Sequence, residues 1–494
     1  MKQIFNSFLP LSEYIPDGEP HVFGDRVYIY GSHDKEGGET FCMLDYVVYS
    51  APVTDLLDWK YEGVIYSSSQ DPNNDGKRTY MYAPDVVKGN DGRFYLYYAL
   101  AGDERRGGQF DGPISVAVCD TPAGKFKYHG DVQFKDGTPV KRMIPFDPGV
   151  INDDGVIRLY YGWALNISIP RNPVGRAIMV KIMQKMFKKT KKEIVDEPQG
   201  IMGANVVELE DDMITVKSDI KRIVPGRNAA KGTTFAGHAF FEASSIRKIK
   251  DTYYFIYSSE LMHELCYATS KYPDRDFVFG GTIVSSGDIG FRGRKAKDRI
   301  NATGNNHGSI EQINGEWYVF YHRHTHNSSF SRQACAEKIT IEEDGSIAQV
   351  GITSCGLNGA PLVAKGEYPS PIYSILTDGK MKHIGVGHLR TCKPCMTDRN
   401  DQRFITNIKN GVIIGYKYFM FNGAATLNLT IRGKGKGTFL VKTDMNGEPI
   451  GEIPVKPGSD WESFGIPIDL SGQFPLILQY KGSGMVEFMS FTFV

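Results

Sequence analysis

No stretch of the 494-residue chain approaches the roughly 18 consecutive apolar residues that a membrane-spanning helix needs. Excess charge of either sign is also missing: Lys+Arg and Asp+Glu both number 57, so no global basic field would recruit nucleic acid or an anionic membrane. Cysteine is scarce. The seven residues are odd in number and scattered, which argues against a disulfide framework and reads as reduced thiols. Cys392-Lys-Pro-Cys395 has the CxxC form, but no second CxxC or matching His pair follows it, so no zinc site is expected there. The opening MKQIFNSFLPLS is interrupted by Asn6, Ser7 and Pro10 and lacks the apolar core of a signal peptide, so a cytoplasmic protein is expected. A GxSxG elbow, an HExxH zinc motif and a GxxxxGKS/T phosphate loop are all absent.

What is abundant points to β structure: 54 Gly, 27 Tyr and 28 Phe favour strands joined by tight turns. Five segments share a run of aromatic and β-branched residues entered through a polar turn: DRVYIYGSHD (25–34), GRFYLYYAL (92–100), GVIRLYYGWA (155–164), DTYYFIYSSE (251–260) and GEWYVFYHRH (315–324). Taking Val27, Phe94, Ile157, Tyr253 and Trp317 as equivalent, the spacings are 67, 63, 96 and 64 residues. A unit of about 65 residues accommodates one four-stranded antiparallel blade, so five units predict an all-β, five-bladed propeller. The long spacing holds an insertion, residues 171–195, where Ile178, Ile182 and Met186 stand beside Met179, Met183 and Phe187 at helical spacing. Its eight Lys/Arg against one Glu allow a membrane-surface role, but a solvated lid or buttress helix is favoured. Beyond Leu376, short alternating strands between Gly-rich turns predict a β-sandwich. The expected division is a propeller over residues 1–365 and a sandwich of jelly-roll type over 366–494.

Upstream of the five aromatic strands, at offsets of ten, nine, ten, eleven and ten residues, stand Asp17, Asp85, Asp147, Glu242 and His307. Equivalent strands of a propeller line its central channel, so these side chains are expected to converge at one end of the axis. An Asp before a tight turn often only caps that turn, but five ionisable groups in register favour an acid/base site. Two carboxyl groups facing each other across a pocket suit glycosidic bond cleavage, one as acid to the leaving oxygen and one as base or nucleophile.

The motifs that carry these residues are Ile15-Pro-Asp-Gly-Glu-Pro-His-Val-Phe23, Met81-Tyr-Ala-Pro-Asp85, Pro145-Phe-Asp-Pro148, Phe240-Phe-Glu-Ala-Ser244, Asn306-His-Gly-Ser309, Tyr321-His-Arg-His324 and Ser331-Arg-Gln333. In this order they resemble glycoside hydrolase family 43, whose members are five-bladed propellers that act on arabinose- and xylose-containing polysaccharides with inversion. The resemblance implies Asp17 as the general base, Glu242 as the general acid, and Asp147 as the carboxylate that orients the acid and modulates its pKa. It implies substrate-pocket positions for Asp85 and Arg332, with Arg332 on the sugar hydroxyls, away from the acid. His307 becomes the axial histidine near a water or a Ca²⁺ ion; no cofactor is required for the chemistry. Glu19 is a rival base, because here Gly18 follows Asp17 where the family shows Asp-Pro; aligning Val22-Phe23 with the family's strand start favours Asp17. Tyr82, Trp163, Phe240 and Phe241 are candidates for the apolar wall under a sugar ring. The expected substrate is a xylo- or arabino-oligosaccharide in an exo pocket, with β-xylosidase and α-L-arabinofuranosidase activity both open. A sugar-binding propeller without catalysis is the alternative. A fructan hydrolase is disfavoured, since Asp71-Pro-Asn-Asn-Asp75 lies too far along the chain to be its first-strand motif. The C-terminal region resembles a family 6 carbohydrate-binding module through Gly415-Tyr-Lys-Tyr-Phe419, Ser459-Asp-Trp461 and Glu487-Phe-Met-Ser-Phe491. Glu487 and Ser490 stand where that module usually carries Asn and Trp, which favours a structural role.

Overall fold

The computed structural model describes the chain except residues 1, 104, 105, 107, 109, 166–171, 196–199 and 386–392, and except the side chains of residues 186 and 195. Five antiparallel sheets follow one another, four of four strands and a last one of three. Each aromatic segment is the second strand of its sheet: Arg26–Tyr30, Phe94–Ala101, Val156–Trp163, Thr252–Ser259 and Glu316–His324. These strands read as continuous apolar runs because both faces are covered by neighbouring blades; Phe94–Ala101 is buried throughout. Tyrosine suits such a position when its hydroxyl finds an acceptor. Tyr97 donates to the Met213 carbonyl at 2.6 Å, Tyr98 to Asp71 at 2.6 Å and Tyr257 to the His238 carbonyl at 2.7 Å.

The apolar clusters lie between blades and form a ring. One joins Val86 and Leu96 of blade two to Val48 of blade one; another joins Tyr97 of blade two to Leu159 of blade three. Tyr160 of blade three packs with Phe255 of blade four, and Ile256 of blade four with Val319 of blade five. Phe320 of blade five closes on Val27 and Ile29 of blade one. Residues 6–9 complete the closure. The Asn6 side chain pairs with Ala336 in both directions, at 2.9 and 3.1 Å, and the Ser7 hydroxyl donates to the Ala334 carbonyl at 2.6 Å. The open edge of the three-stranded blade is thereby covered, and Phe8 and Leu9 enter the core between blades five and one.

The insertion forms helix α1 (Pro173–Phe187) and helix α2 (Lys191–Val195) in the third blade; residue 171 and the Met186 side chain lie outside the described residues. Pro173 opens α1, and Asn172 caps it by accepting from the Gly175 N–H at 2.7 Å. The buried stripe is Val180, Met183, Phe187 and Ile194, whereas Ile178 and Ile182 are 56% and 48% exposed. Of the two adjacent rows, that of Met179, Met183 and Phe187 packs inward and that of Ile178 and Ile182 faces outward. Phe187 meets Trp163 at 5.5 Å between ring centroids, so the insertion buttresses that indole.

The C-terminal domain is a β-sandwich built on two long strands, Ile413–Gly433 and Gly458–Ser483, bent at bulges and packed around Phe419, Leu427, Leu429, Phe488 and Phe491. Leu362–Val363 already pairs with its Phe419–Met420, three residues before the boundary expected from sequence. Trp461 is covered by the Arg432 guanidinium at 4.1 Å, and Arg432 pairs with Glu487 at 2.7 Å. Cys42, Cys119, Cys266, Cys335 and Cys355 form no disulfide; Cys392 of the CxxC lies outside the described residues. Among the described residues, no helix is long and apolar enough to cross a membrane.

Candidate active site

The first strand of each blade runs beside the axis: Glu19–Phe23, Tyr80–Lys88, Gly149–Asp153, Phe240–Ile249 and Ser309–Ile313. Strand pairing fixes their true register. Glu19, Asp85, Gly149, Ser245 and Ser309 face Tyr30, Tyr97, Tyr160, Ile256 and Phe320, which follow Val27, Phe94, Ile157, Tyr253 and Trp317 by three residues each. Two residues before that layer come Asp17, Ala83, Asp147, Ala243 and His307. The first four share a positive φ, of 58°, 34°, 46° and 71°. A non-glycine residue pays conformational strain of order 1–3 kcal/mol to sit there, and the kink turns the strand ends inward at the channel mouth. Gly308 follows His307 where a Cβ would lie 1.9 Å from the Phe320 carbonyl oxygen, so only glycine fits.

Asp85 therefore lies two residues deeper than Asp17, and Glu242 one residue nearer the mouth. Asp85, expected in the sugar pocket, is fully buried: it accepts from the Val86 and Val150 N–H groups at 2.7 Å each and lies 2.6 Å from His21 Nε2. Glu19 shares this lower layer. It accepts from Ser245 at 3.1 Å and Arg247 at 3.3 Å, and burial together with the Asp85 charge pushes its carboxyl up to about 8. A carboxyl that is protonated at neutral pH and turned away from the mouth is unsuited to be a base there.

The pocket at the mouth is lined by Asp17, Asp147, Glu242, His307 and Arg332, by the aromatics Tyr82, Trp163 and Phe241, and also by Phe41, Phe110, Phe146, Asn305 and Ile384. Phe240 is not among them. It points the other way along its strand, fully buried against Phe255 and Tyr257 at 6.1 and 6.0 Å. Phe110 stacks on Trp163 at 5.7 Å, and Tyr82 meets Phe146 at 5.3 Å, which makes one side of the pocket a continuous aromatic wall.

On the polar side stands Arg332. Its guanidinium donates to Asp17 at 2.9 Å and grips Asp34 through two bonds of 2.8 and 3.1 Å. Burial alone would raise the Asp17 carboxyl; Arg332, helped by His322 at 3.3 Å and by His307, outweighs it and holds Asp17 well below the usual carboxylate range. Asp147 shows the reverse. Burial and the charges of Glu242 and Asp17 drive it well above that range, against one bond from the Ala243 N–H at 3.0 Å. His307 bridges the two, its Nδ1 3.8 Å from Asp17 and 3.6 Å from Asp147, and burial lowers it to about 4, so it is neutral. Glu242 accepts from Asn305 at 3.1 Å and from the Trp163 indole at 3.3 Å. Asp34, Asn305 and His322 escaped the sequence reading as site residues, although Asp34 and His322 lie in segments singled out for their pattern.

A five-bladed propeller whose mouth holds one carboxylate kept ionised and another kept protonated defines a glycosidase of the two-carboxylate kind. The chain matches the family model of glycosyl hydrolases family 43 over residues 12–203 and 195–347. It is 44% identical over 505 residues to a xylosidase/arabinosidase of Thermoclostridium stercorarium, covering 99% of both chains. It is 30% identical to a xylosidase/arabinosidase of Bacteroides ovatus, over 64% of this chain and 87% of that one. Among solved structures it is similar to a β-xylosidase/α-arabinofuranosidase from a compost microbial metagenome, in complex with xylotriose and calcium-free, at 26% identity, TM-score 0.52 and coverage of 71% and 98%. The chain belongs to glycoside hydrolase family 43 and is an inverting glycosidase.

Proposed function

We propose that the enzyme removes terminal β-D-xylosyl or α-L-arabinofuranosyl residues from xylo- and arabino-oligosaccharides, with Asp17 as base, Glu242 as acid and Asp147 as the modulator of the acid. The observation that carries this reading is the opposite treatment of two carboxyls: Arg332 keeps Asp17 ionised, while burial and the charges of Glu242 and Asp17 push Asp147 well above the usual carboxylate range. In the reaction Asp17 takes a proton from water, the water oxygen attacks the anomeric carbon, and the bond to the leaving oxygen breaks. Glu242 gives that oxygen its proton, while Trp163 and Asn305 hold the carboxyl in place. The aromatic wall supplies the apolar face for the ring. The names of the relatives support both sugars.

His307, a neutral imidazole flanked by Asp17 and Asp147, suits a hydrated Ca²⁺ held through water. Such an ion would be an electrostatic aid, and no step passes through it. The coverage of Trp461 by Arg432 supports a structural role for the sandwich over sugar binding. The thiols of Cys42, Cys119, Cys266, Cys335 and Cys355 support a reducing, cytoplasmic location.

The test is hydrolysis of the p-nitrophenyl β-D-xylopyranoside and α-L-arabinofuranoside, with NMR of the first-formed anomer. Release of the opposite anomer from at least one of them is expected. Inactivity on both, or retention, would refute the reading.

A further inference from the structure

We infer that the C-terminal domain completes the sugar pocket, with Ile384 acting as a substrate-binding residue. The chain is already within the sandwich at Ile375–Thr377, which pairs with Ile413–Gly415. It then returns to the propeller and lies along Thr303. Ile384 N–H donates to the Thr303 carbonyl at 2.5 Å, Thr303 N–H donates to the Lys382 carbonyl at 3.2 Å, and the Thr303 hydroxyl meets His383 Nδ1 at 3.2 Å. Two residues beyond Thr303 stands Asn305, whose amide binds Glu242 and whose oxygens meet His322 at 3.0 Å and His324 at 3.1 Å. The strap that carries Ile384 is thus anchored to the segment that holds Glu242.

Ile384 is 7% exposed yet belongs to none of the apolar cores among the described residues. A buried isoleucine of this kind needs another apolar surface. What it lines is the mouth pocket, together with Met262 and Asn305 and in company with Glu242. Its branched side chain has few rotamers and makes a stiff wall, suited to the C–H face of a single small sugar ring. The propeller alone therefore presents an incomplete pocket.

This inference rests on the proposed sugar class, and the experiment separates the two. Full-length Ile384→Ala, Ile384→Val and Ile384→Phe are compared with wild type in three ways: kcat and KM on both nitrophenyl glycosides, binding of free xylose and arabinose followed by tryptophan fluorescence, and thermal melting. With Ile384→Ala, KM on the hydrolysed glycoside and Kd for its sugar should each rise about tenfold, as expected when apolar contacts to a small ligand are deleted. Ile384→Val should raise them about threefold, and Ile384→Phe should lower kcat/KM by about a hundredfold by occupying the well. The Val variant keeps the test open if the Ala protein does not fold. Variants that melt at a different temperature but keep KM and Kd within about 1.5-fold of wild type would overturn the inference, assigning Ile384 to domain cohesion only. A wild type that hydrolyses neither glycoside would refute the sugar class instead, and sugar binding would still report on the wall.

Discussion

Replacing Arg332 by Met should move the low-pH limb of kcat/KM upward. Arg332 is 2% exposed and donates to Asp17 at 2.9 Å, so its charge acts across a short path with little water between. Two unit charges about 4 Å apart at an effective dielectric near 20 interact by about 4 kcal/mol, equivalent to about 3 pH units at 1.36 kcal/mol each. Relaxation and entering water would reduce this to about 2. The sign follows from the role of the base. Asp17 works ionised, so a carboxyl no longer held down is protonated, and activity fails, at a higher pH. The substitution also leaves Asp34 without its bidentate partner, and breaking a buried pair costs about 3–5 kcal/mol. Arg332→Met/Asp34→Asn should recover part of that stability while keeping the displaced limb, which separates the effect on the base from general damage. Arg332→Lys keeps the charge without the fork and should fall between. The assay is kcat/KM across the pH range with thermal melts alongside. Variants with measurable activity whose low-pH limb coincides with wild type would refute the claim that Arg332 sets the ionisation of Asp17.

Asp17→Ala and Glu242→Ala should each lower kcat by about 10²–10⁴, and a substrate with a good leaving group should restore the Glu242 variant in part but not the Asp17 variant. An active Asp17→Ala beside an inactive Glu19→Ala would reassign the base. Glu19 bears on stability: its folded carboxyl stands at about 8, above the unfolded value near 4.3, so stability is fullest below the unfolded value and falls as pH rises towards 8. Urea unfolding at pH 5 and pH 8 should show a smaller difference for Glu19→Gln than for wild type, and equal differences would contradict the burial argument. Exhaustive chelation should lower activity several-fold and added Ca²⁺ should restore it; full activity with no metal by elemental analysis would remove the ion from His307.

The propeller was legible because its signal is local: five aromatic strands, each entered through a polar turn, need only a window of about ten residues to be seen. The catalytic layer was legible only in part. Counting back from Phe94 and Tyr253 put Asp85 and Glu242 level with Asp17, but pairing slips at bulges between Tyr82 and Asp85 and between Glu242 and Ser245. Blade two also turns through residues 89–93, where the others use two-residue turns. A one- or two-residue slip is invisible to spacing yet moves a side chain to another layer. The clamp of Arg332 on Asp34 joins residues 298 apart in sequence, and Ile384 reaches the pocket from the other domain. No periodicity encodes such contacts.

The seam at which residues 6–9 complete the fifth blade sets a timetable for synthesis. Asn6 leaves the ribosome 330 residues ahead of its partner Ala336. At roughly 5–20 residues per second that wait is on the order of 20–60 s. Throughout it, blades one to four can form in turn while Phe8 and Leu9, which belong between blades five and one, have only half of their cleft. The ring is therefore an open arc for most of its assembly, with an apolar flank at each end, and the last step closes both at once. Anything that occupies residues 6–9 during that interval, whether a chaperone, a fused tag or the same seam of another nascent chain, competes directly with closure.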